Sequence, residues 1–216
     1  ASAEVVVPIV KSGVKAVDIA ADFRLHDPEI YQEAYGLDQV SPDLLSDAVY
    51  GLPELNRDAI KSASLVANPG CYPAASILAL APAVRHGIVN DDVIIDAKSG
   101  ISGAGRGGIS ASTIDQFAEA NENVVAYALD GHGHRFEIAQ ELAGLRGIHG
   151  FNVTFVPHRI PMTRGIMATC YASLKEPSFT KEDVFEIYRD FYNGERFVNV
   201  TDQPPHTKHT VGSNFC

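Results

Sequence analysis

Apolar positions in this chain come in short, separated runs. Val5, Val6, Val7, Ile9 and Val10 crowd the first stretch, which closes with Lys11-Ser12-Gly13. A basic residue followed by glycine is how helices end, so residues 2–13 predict a helix and Val14–Ile19 a strand directly after it. A helix running into a strand is half of a βαβ unit, the building block of parallel sheets. From Ala20 to Glu54 the pattern reads as loop-rich, around Asp22-Phe23-Arg24, His26-Asp27-Pro28, Ser41-Pro42 and Leu52-Pro53-Glu54. Ile60–Ala67 ends in a short strand, Ser64-Leu65-Val66-Ala67. Asn68-Pro69-Gly70 is a turn, and Pro73–Leu80 predicts a buried helix that Pro82 interrupts.

Further on, Val93–Ala97 predicts a strand, Ser99–Gly108 a glycine-dense loop and Ala111–Ala120 a helix. Strands follow at Val124–Leu129, Phe151–Val156 and Ile166–Leu174, with a helix opening near Phe136-Glu137-Ile138. Thr180, three residues before Asp183, starts a helix over Thr180–Tyr192 with a capping box whose acid is short. A last strand is expected at Arg196–Val200. Long strands with few helices between them suggest a mixed, mostly antiparallel sheet with helices on one face. The boundary between this part and the first falls near Asn68–Cys71.

Composition narrows the field. A length of 216 residues, 45% of them hydrophobic, allows one large domain or two small ones with a real core. Lys and Arg number 17 against 27 Asp and Glu, a net charge of −10. That balance argues against a partner that is nucleic acid or an anionic membrane. No apolar run approaches the ~20 residues needed to span a bilayer. Cys71, Cys170 and Cys216 are too few and too far apart for a disulfide framework, which fits a reducing, cytoplasmic setting.

Cys71 is the first candidate for chemistry. Strand, turn and helix place its sulfur at a helix start, where unsatisfied N–H groups and the dipole stabilise a thiolate. This setting weighs against the ordinary reading of a buried structural cysteine. Gly131-His132-Gly133-His134-Arg135 is the second. Its histidines could bind zinc with Cys71, could supply a general base to it, or could be solvated loop residues. No second ligand pair has a zinc-site spacing, so Cys with His is the better pairing and no metal is expected. The third is Lys98-Ser99-Gly100-Ile101-Ser102-Gly103-Ala104-Gly105-Arg106, which follows a strand and whose backbone N–H groups could cradle an anion. It is not a P-loop, because no Gly-Lys-Ser/Thr closes it. Arg24, Arg106, Arg135, Arg159 and Arg164 all sit near glycine, proline or loop positions, where planar guanidinium groups could collect an anionic substrate.

Several segments, taken in order, carry a resemblance. They are Asp18-Ile19-Ala20-Ala21-Asp22-Phe23-Arg24-Leu25, Val49-Tyr50-Gly51-Leu52-Pro53-Glu54-Leu55, Ala67-Asn68-Pro69-Gly70-Cys71-Tyr72-Pro73, the Lys98–Arg106 loop, the double-histidine segment, and Val156-Pro157-His158-Arg159-Ile160-Pro161-Met162-Thr163-Arg164-Gly165. Together the chain resembles the N-acetyl-gamma-glutamyl-phosphate reductase family of arginine biosynthesis, which is related to aspartate-semialdehyde dehydrogenase. The resemblance implies an α/β plus α+β fold. Residues 1–67 would be the later part of a Rossmann-like NADP-binding domain, and residues 68–216 a catalytic and dimerisation domain.

It implies NADPH-dependent reduction of an acyl phosphate, N-acetyl-glutamyl 5-phosphate, to its semialdehyde. Cys71 would be the nucleophile and His134 the general acid/base, with His132 beside it. Ser99, Gly100, Ser102, Gly103, Ala104, Gly105 and Asn214 would meet the cofactor. Arg24, Arg106, Tyr127, Glu137 and Arg164 would hold the substrate, and the enzyme would be a homodimer or tetramer. Two departures stand out. The family's His-Arg-His-Thr-Pro-Glu is here His132-Gly133-His134-Arg135-Phe136-Glu137, and Ala74 stands where Thr is common. The family's opening strand, its Gly-rich phosphate loop and its final helix have no counterpart, so the chain is expected to be an internal fragment. The competing readings are a carrier-bound aminoadipate phosphate reductase of lysine biosynthesis, a Cys–His hydrolase using the same dyad without cofactor, and an inactive folded fragment.

Overall fold

The structure is a computed structural model that describes residues 2–39, 41–105 and 117–216. The chain divides into two compact units, residues 1–74 and 75–216.

In the first unit, α1 (Ala3–Lys11) runs into β1 (Ala16–Asp18), as the valine run and Gly13 led one to expect. The stretch read as loop-rich is instead α2 (Pro28–Tyr35), α3 (Pro42–Leu45), β2 (Ala48–Tyr50) and the start of α4 (Pro53–Ser62). The physical reason is the placement of the prolines. Pro28, Pro42 and Pro53 each sit in a first helical turn, where a missing N–H costs nothing, so they open helices rather than break them. Asp27 completes the start of α2, its carboxylate accepting from the N–H groups of Glu29 at 2.8 Å and Ile30 at 3.4 Å.

The strand β3 (Leu65–Ala67) lies between β1 and β2, parallel to both, with Asp18 and Tyr50 level with Ala67. Ala3, Val6, Phe23, Leu45, Ala48, Leu65 and Ala67 form the core beneath this sheet.

In the second unit, β4 (Val89–Ser99) is longer than its apolar centre predicted. Then come a 3₁₀ turn (Ile101–Ala104), the short α6 (Phe117–Ala120), β5 (Val125–Ala126), α7 (Gly133–Arg146), β6 (Asn152–Arg159), β7 (Ile166–Leu174) and α8 (Lys181–Phe191). The sheet order is β5-β6-β4-β7, with β4 and β6 parallel and the outer pairs antiparallel, which is the mixed sheet expected. Along β4, Val93, Ile95 and Ala97 are buried on one face, whereas Ile94 on the other is exposed. The capping box at Thr180 is present in full.

Other expectations need correction. The segment Val124–Leu129 keeps strand pairing only over Val125–Ala126, because Ala128 turns into a left-handed conformation at φ 49°. Arg196–Val200 is not a strand. It makes a turn bond from the Val198 N–H to the Glu195 carbonyl at 3.3 Å and a short exchange, Asn199 N–H to the Cys216 carbonyl and Cys216 N–H to that of Phe197, both at 2.8 Å. Most of the helix expected at Ala111–Ala120 lies outside the described residues, as does Arg106.

The correction with most consequence concerns α5, which spans Cys71–Arg85 and passes straight through Pro82. Pro82 has no N–H, so the carbonyl of Leu78, four residues earlier, loses its helical partner. The Tyr192 hydroxyl donates to that carbonyl at 2.5 Å, and the Tyr188 hydroxyl to Ala79 beside it at 2.7 Å. Two tyrosines from the far end of the second unit thus supply what the proline removes.

Tyr192→Phe should therefore destabilise the protein by about 1–2 kcal/mol, the cost of an orphaned buried carbonyl. In a Pro82→Ala background the helix N–H returns and the same change should cost clearly less. Denaturant melts of the double-mutant cycle check this; strictly additive effects would refute it.

Candidate active site

Cys71 is the first residue of α5 and is exposed, at the carboxyl end of the central strand β3. The turn that delivers it is held from both neighbouring strands. Asn68 N–H donates to the Asp18 carbonyl at 2.8 Å, and Gly51 N–H to that of Ala67 at 2.8 Å. Gly51 has to be glycine, since a Cβ there would lie 2.8 Å from Val66 Cγ1 and 3.0 Å from the Ala67 carbonyl oxygen.

Elsewhere in this unit, Asp22 accepts from the N–H of Ala3 at 2.9 Å, from Ser2 Oγ at 3.0 Å and from Tyr31 Oη at 3.3 Å. Burial, with the Asp22 charge adding, holds the Tyr31 phenol protonated beyond its ordinary range. Arg24 is only 8% exposed, and its Nη2 donates to the Ile19 carbonyl at 2.8 Å. It braces the turn after β1.

The second unit brings several of the sequence candidates together at the carboxyl ends of β4 and β6. Their register ends with Ser99 beside Arg159. Arg159 Nη1 donates to Tyr127 Oη at 2.9 Å and to Ser99 Oγ at 3.4 Å, and the guanidinium carbon lies 4.4 Å from the Tyr127 ring centre. The His132 ring stands edge-on to Tyr127 at 5.8 Å and to Phe155 at 5.4 Å, with the His134 ring 4.6 Å away.

His132 is also the N-cap of α7, its Nδ1 accepting from the His134 N–H at 3.2 Å. An accepting Nδ1 carries no proton, so the neutral ring holds its proton on Nε2. Burial first, and the Arg159 charge second, push the His132 imidazole below its ordinary value. Glu137 follows His134 by three residues on the same face of α7 and is fully buried.

The glycine loop behaves differently from the anion cradle it suggested. N–H groups of Gly100, Ile101 and Ser102 donate to the carbonyls of Gly165, Met162 and Thr163 at 3.0, 2.9 and 3.1 Å. Those of Gly103 and Gly105 donate to Gly100 and Ser102. In its described part the loop has committed these donors to its own backbone and to the β6–β7 connection. A Cβ on Gly100 would fall 2.8 Å from backbone atoms of Met162 and Thr163, which is how closely the two segments pass. A turn whose N–H groups are already engaged does not suit a phosphate, and Ser102 and Gly103 are exposed on it. Arg164 and Asn214 are exposed. Among the described residues no group of three or more His, Cys, Asp or Glu is arranged to hold a metal ion, and no helix is long and apolar enough to cross a membrane.

Residues 71–216 match the family model described as "Semialdehyde dehydrogenase, dimerisation domain", and residues 1–63 the one described as its "NAD binding domain". The chain belongs to the semialdehyde dehydrogenase family. Among curated relatives, the N-acetyl-gamma-glutamyl-phosphate reductase of Dehalococcoides mccartyi is 50% identical over 214 residues, covering 99% of this chain and 62% of the relative. That of Heliobacterium modesticaldum is 48% identical over 213 residues, covering 96% and 60%. The chain thus spans about three fifths of the length of these relatives.

The fold is that of aspartate semialdehyde dehydrogenase II from Vibrio cholerae, with a TM-score of 0.70 at 18% identity over 98% of this chain and 63% of the other. Aspartate semialdehyde dehydrogenase with NADP from Candida albicans gives 0.64 at 17%, over 96% and 60%. Sequence reasoning counted Arg159 among its arginines but gave it no place in the site. Its position, in register with Ser99 on a paired strand, becomes visible only once β4 and β6 are aligned.

On α7, burial pushes the Glu141 carboxyl up from 4.5 to about 7 against the hydrogen bond from Gln140, with the Glu137 charge adding to the rise. The folded state then holds a proton that the unfolded chain has released. This term favours the fold fully below about pH 4.5 and is lost as pH rises through about 7. Glu141→Gln should flatten the fall in melting temperature between about pH 5 and 8. Identical slopes for the two proteins would refute the assignment.

Proposed function

We propose that the complete protein is an NADPH-dependent N-acetyl-gamma-glutamyl-phosphate reductase of arginine biosynthesis, working in the cytoplasm. Residues 1–67 would be the later part of its nucleotide domain, and residues 68–216 its catalytic and dimerisation domain. The observation that carries the reading is Cys71, exposed at the head of a fifteen-residue helix and presented by a turn bonded to two neighbouring strands. A sulfur in that setting attacks as the anion. Close relatives bearing this name support the choice of substrate.

In this reading Cys71 Sγ forms a bond to the acyl carbon as the carbon–oxygen bond to phosphate breaks, leaving a thioester and free phosphate. NADPH, when bound, supplies the hydride that takes the thioester to the aldehyde. Ser99, Gly100, Ser102, Gly103, Ala104, Gly105 and Asn214 would hold its nicotinamide end. His134 accepts the thiol proton before attack and returns a proton as the aldehyde is released and the thiol restored. His132, whose Nδ1 is engaged by the His134 N–H, keeps the first turn of α7 in place. Tyr127, Glu137 and Arg164, with Arg106, would hold the substrate, and Arg24 supports the turn after β1.

Self-association falls to the open face of the four-stranded sheet. Ile94 and Tyr171, paired in register on β4 and β7, are 48% and 54% exposed there. Asp96 on the same face pairs with Lys98 at 2.6 Å and His158 at 3.2 Å. A homodimer or tetramer built on this face buries both the apolar pair and the ion group.

Kinetics of the complete protein test the chemistry. Cys71→Ser should abolish turnover, and His134→Asn should lower kcat by roughly 10²–10⁴-fold. His132→Asn, which can still cap the helix, should lower it less. In the wild-type protein, alkylation should reach Cys71 well before Cys170, whose thiol burial pushes up to about 12. Full activity in Cys71→Ser would sink the mechanism. For the interface, Tyr171→Asp should reduce the particle mass by light scattering, and an unchanged mass would place the interface elsewhere.

A further inference from the structure

Arg159 joins three segments that carry site residues. From the end of β6 its Nη1 reaches Ser99 Oγ at the start of the glycine turn, and Tyr127 Oη on the approach to the histidines. The Ser99 hydroxyl passes the contact on to the Gly100 carbonyl at 2.9 Å. The guanidinium face covers the Tyr127 ring, whose neighbour is His132. Removing this one side chain would untie the turn after β4 from Tyr127, the residue against which the His132 ring packs.

The cap on α7 explains why a cation is useful there. His132 can accept from the His134 N–H only while Nδ1 is unprotonated. A protonated ring has donors on both nitrogens, so the cap would be lost and two N–H groups would face each other. Charged and titratable groups placed against His132 include Arg159 from β6, Tyr127 from the segment after β5, and His134 from α7. Of these, Arg159 carries a permanent positive charge.

We propose that Arg159 is a positioning residue for the reaction. It ties Tyr127 to the Ser99 turn and holds a fixed cation beside His132, which keeps the His132 cap closed and His134 in place. The proposal rests on the reading of His134 as the acid–base group. Burial of the ring lowers its basicity most, and the Arg159 charge acts in the same direction.

The test follows His132 itself in the complete protein. Histidine-selective labelling, with the His132 signal assigned by His132→Asn, gives the ring's titration midpoint by NMR. Hydrogen exchange gives the protection of the first turn of α7. Arg159→Gln should raise the midpoint, and should deprotect that turn on acidification at a pH where the wild type keeps it closed. Arg159→Lys, which keeps the charge and loses the planar fork, should bring the midpoint back while leaving KM raised, because Tyr127 and Ser99 are no longer tied together.

If Arg159→Gln does not fold, Tyr127→Phe decides. Losing the Oη anchor loosens the guanidinium and should move the midpoint in the same direction. A midpoint that stays at the wild-type value in the folded variants overturns the proposal. Turnover on the same samples keeps the two readings apart: an inactive wild type with a shifting midpoint would refute the reaction, and an active one with an immobile midpoint would refute Arg159.

Discussion

The parallel pairing of β4 with β6 is the constraint on which the second unit's site depends. Eight residues of each strand run in step from Asp92 and Asn152 to Ser99 and Arg159, so the two strands stop at the same level. In an open sheet the crevice beyond the carboxyl ends of parallel strands is where ligands find exposed backbone ends and loops. Here that crevice receives the glycine turn from one strand and a guanidinium from the other. The β6–β7 connection then folds back over the turn so closely that only glycine fits at position 100. A slip of one residue would send Arg159 to the opposite face, among Asp96, Lys98 and His158.

Near this end of the sheet, polar groups divide the work according to their surroundings. His132 is half-buried, kept neutral and used as a backbone acceptor. His134, two residues on, has its N–H committed to the cap, which fixes the backbone from which its ring projects. A pair that looks redundant in the sequence is thus unequal in the fold. The asymmetry comes from a helix start and a neighbouring cation, neither of which is encoded in the His-x-His spacing.

Much of the scaffold could be read before the structure, for identifiable reasons. The valine run with Gly13, the Thr180–Asp183 cap and the apolar run of β7 carry their signals locally, and each element stands where expected. Local signals misled where proline was involved. Pro28, Pro42 and Pro53 read as breaks because their role as helix openers depends on which side the helix lies. Pro82 read as a stop because the hydroxyls that compensate for it come from residues 109 and 114 positions away from their acceptors. The place of Cys71 at a helix start was legible from its turn. The partnership of Arg159 with Ser99 was not, since a sixty-residue separation closes only through strand register.

The tyrosine repair of α5 also bears on the order in which the protein is made. A chain leaving the ribosome exposes Cys71 and Pro82 long before Tyr188 and Tyr192 exist. Until α8 has been synthesised and docked, the carbonyls of Leu78 and Ala79 lack their hydroxyl donors. The helix headed by Cys71 therefore emerges well before α8 and is completed only after it. Closing so long a loop slows folding, and it ties maturation of the cysteine's helix to arrival of the far end of the domain.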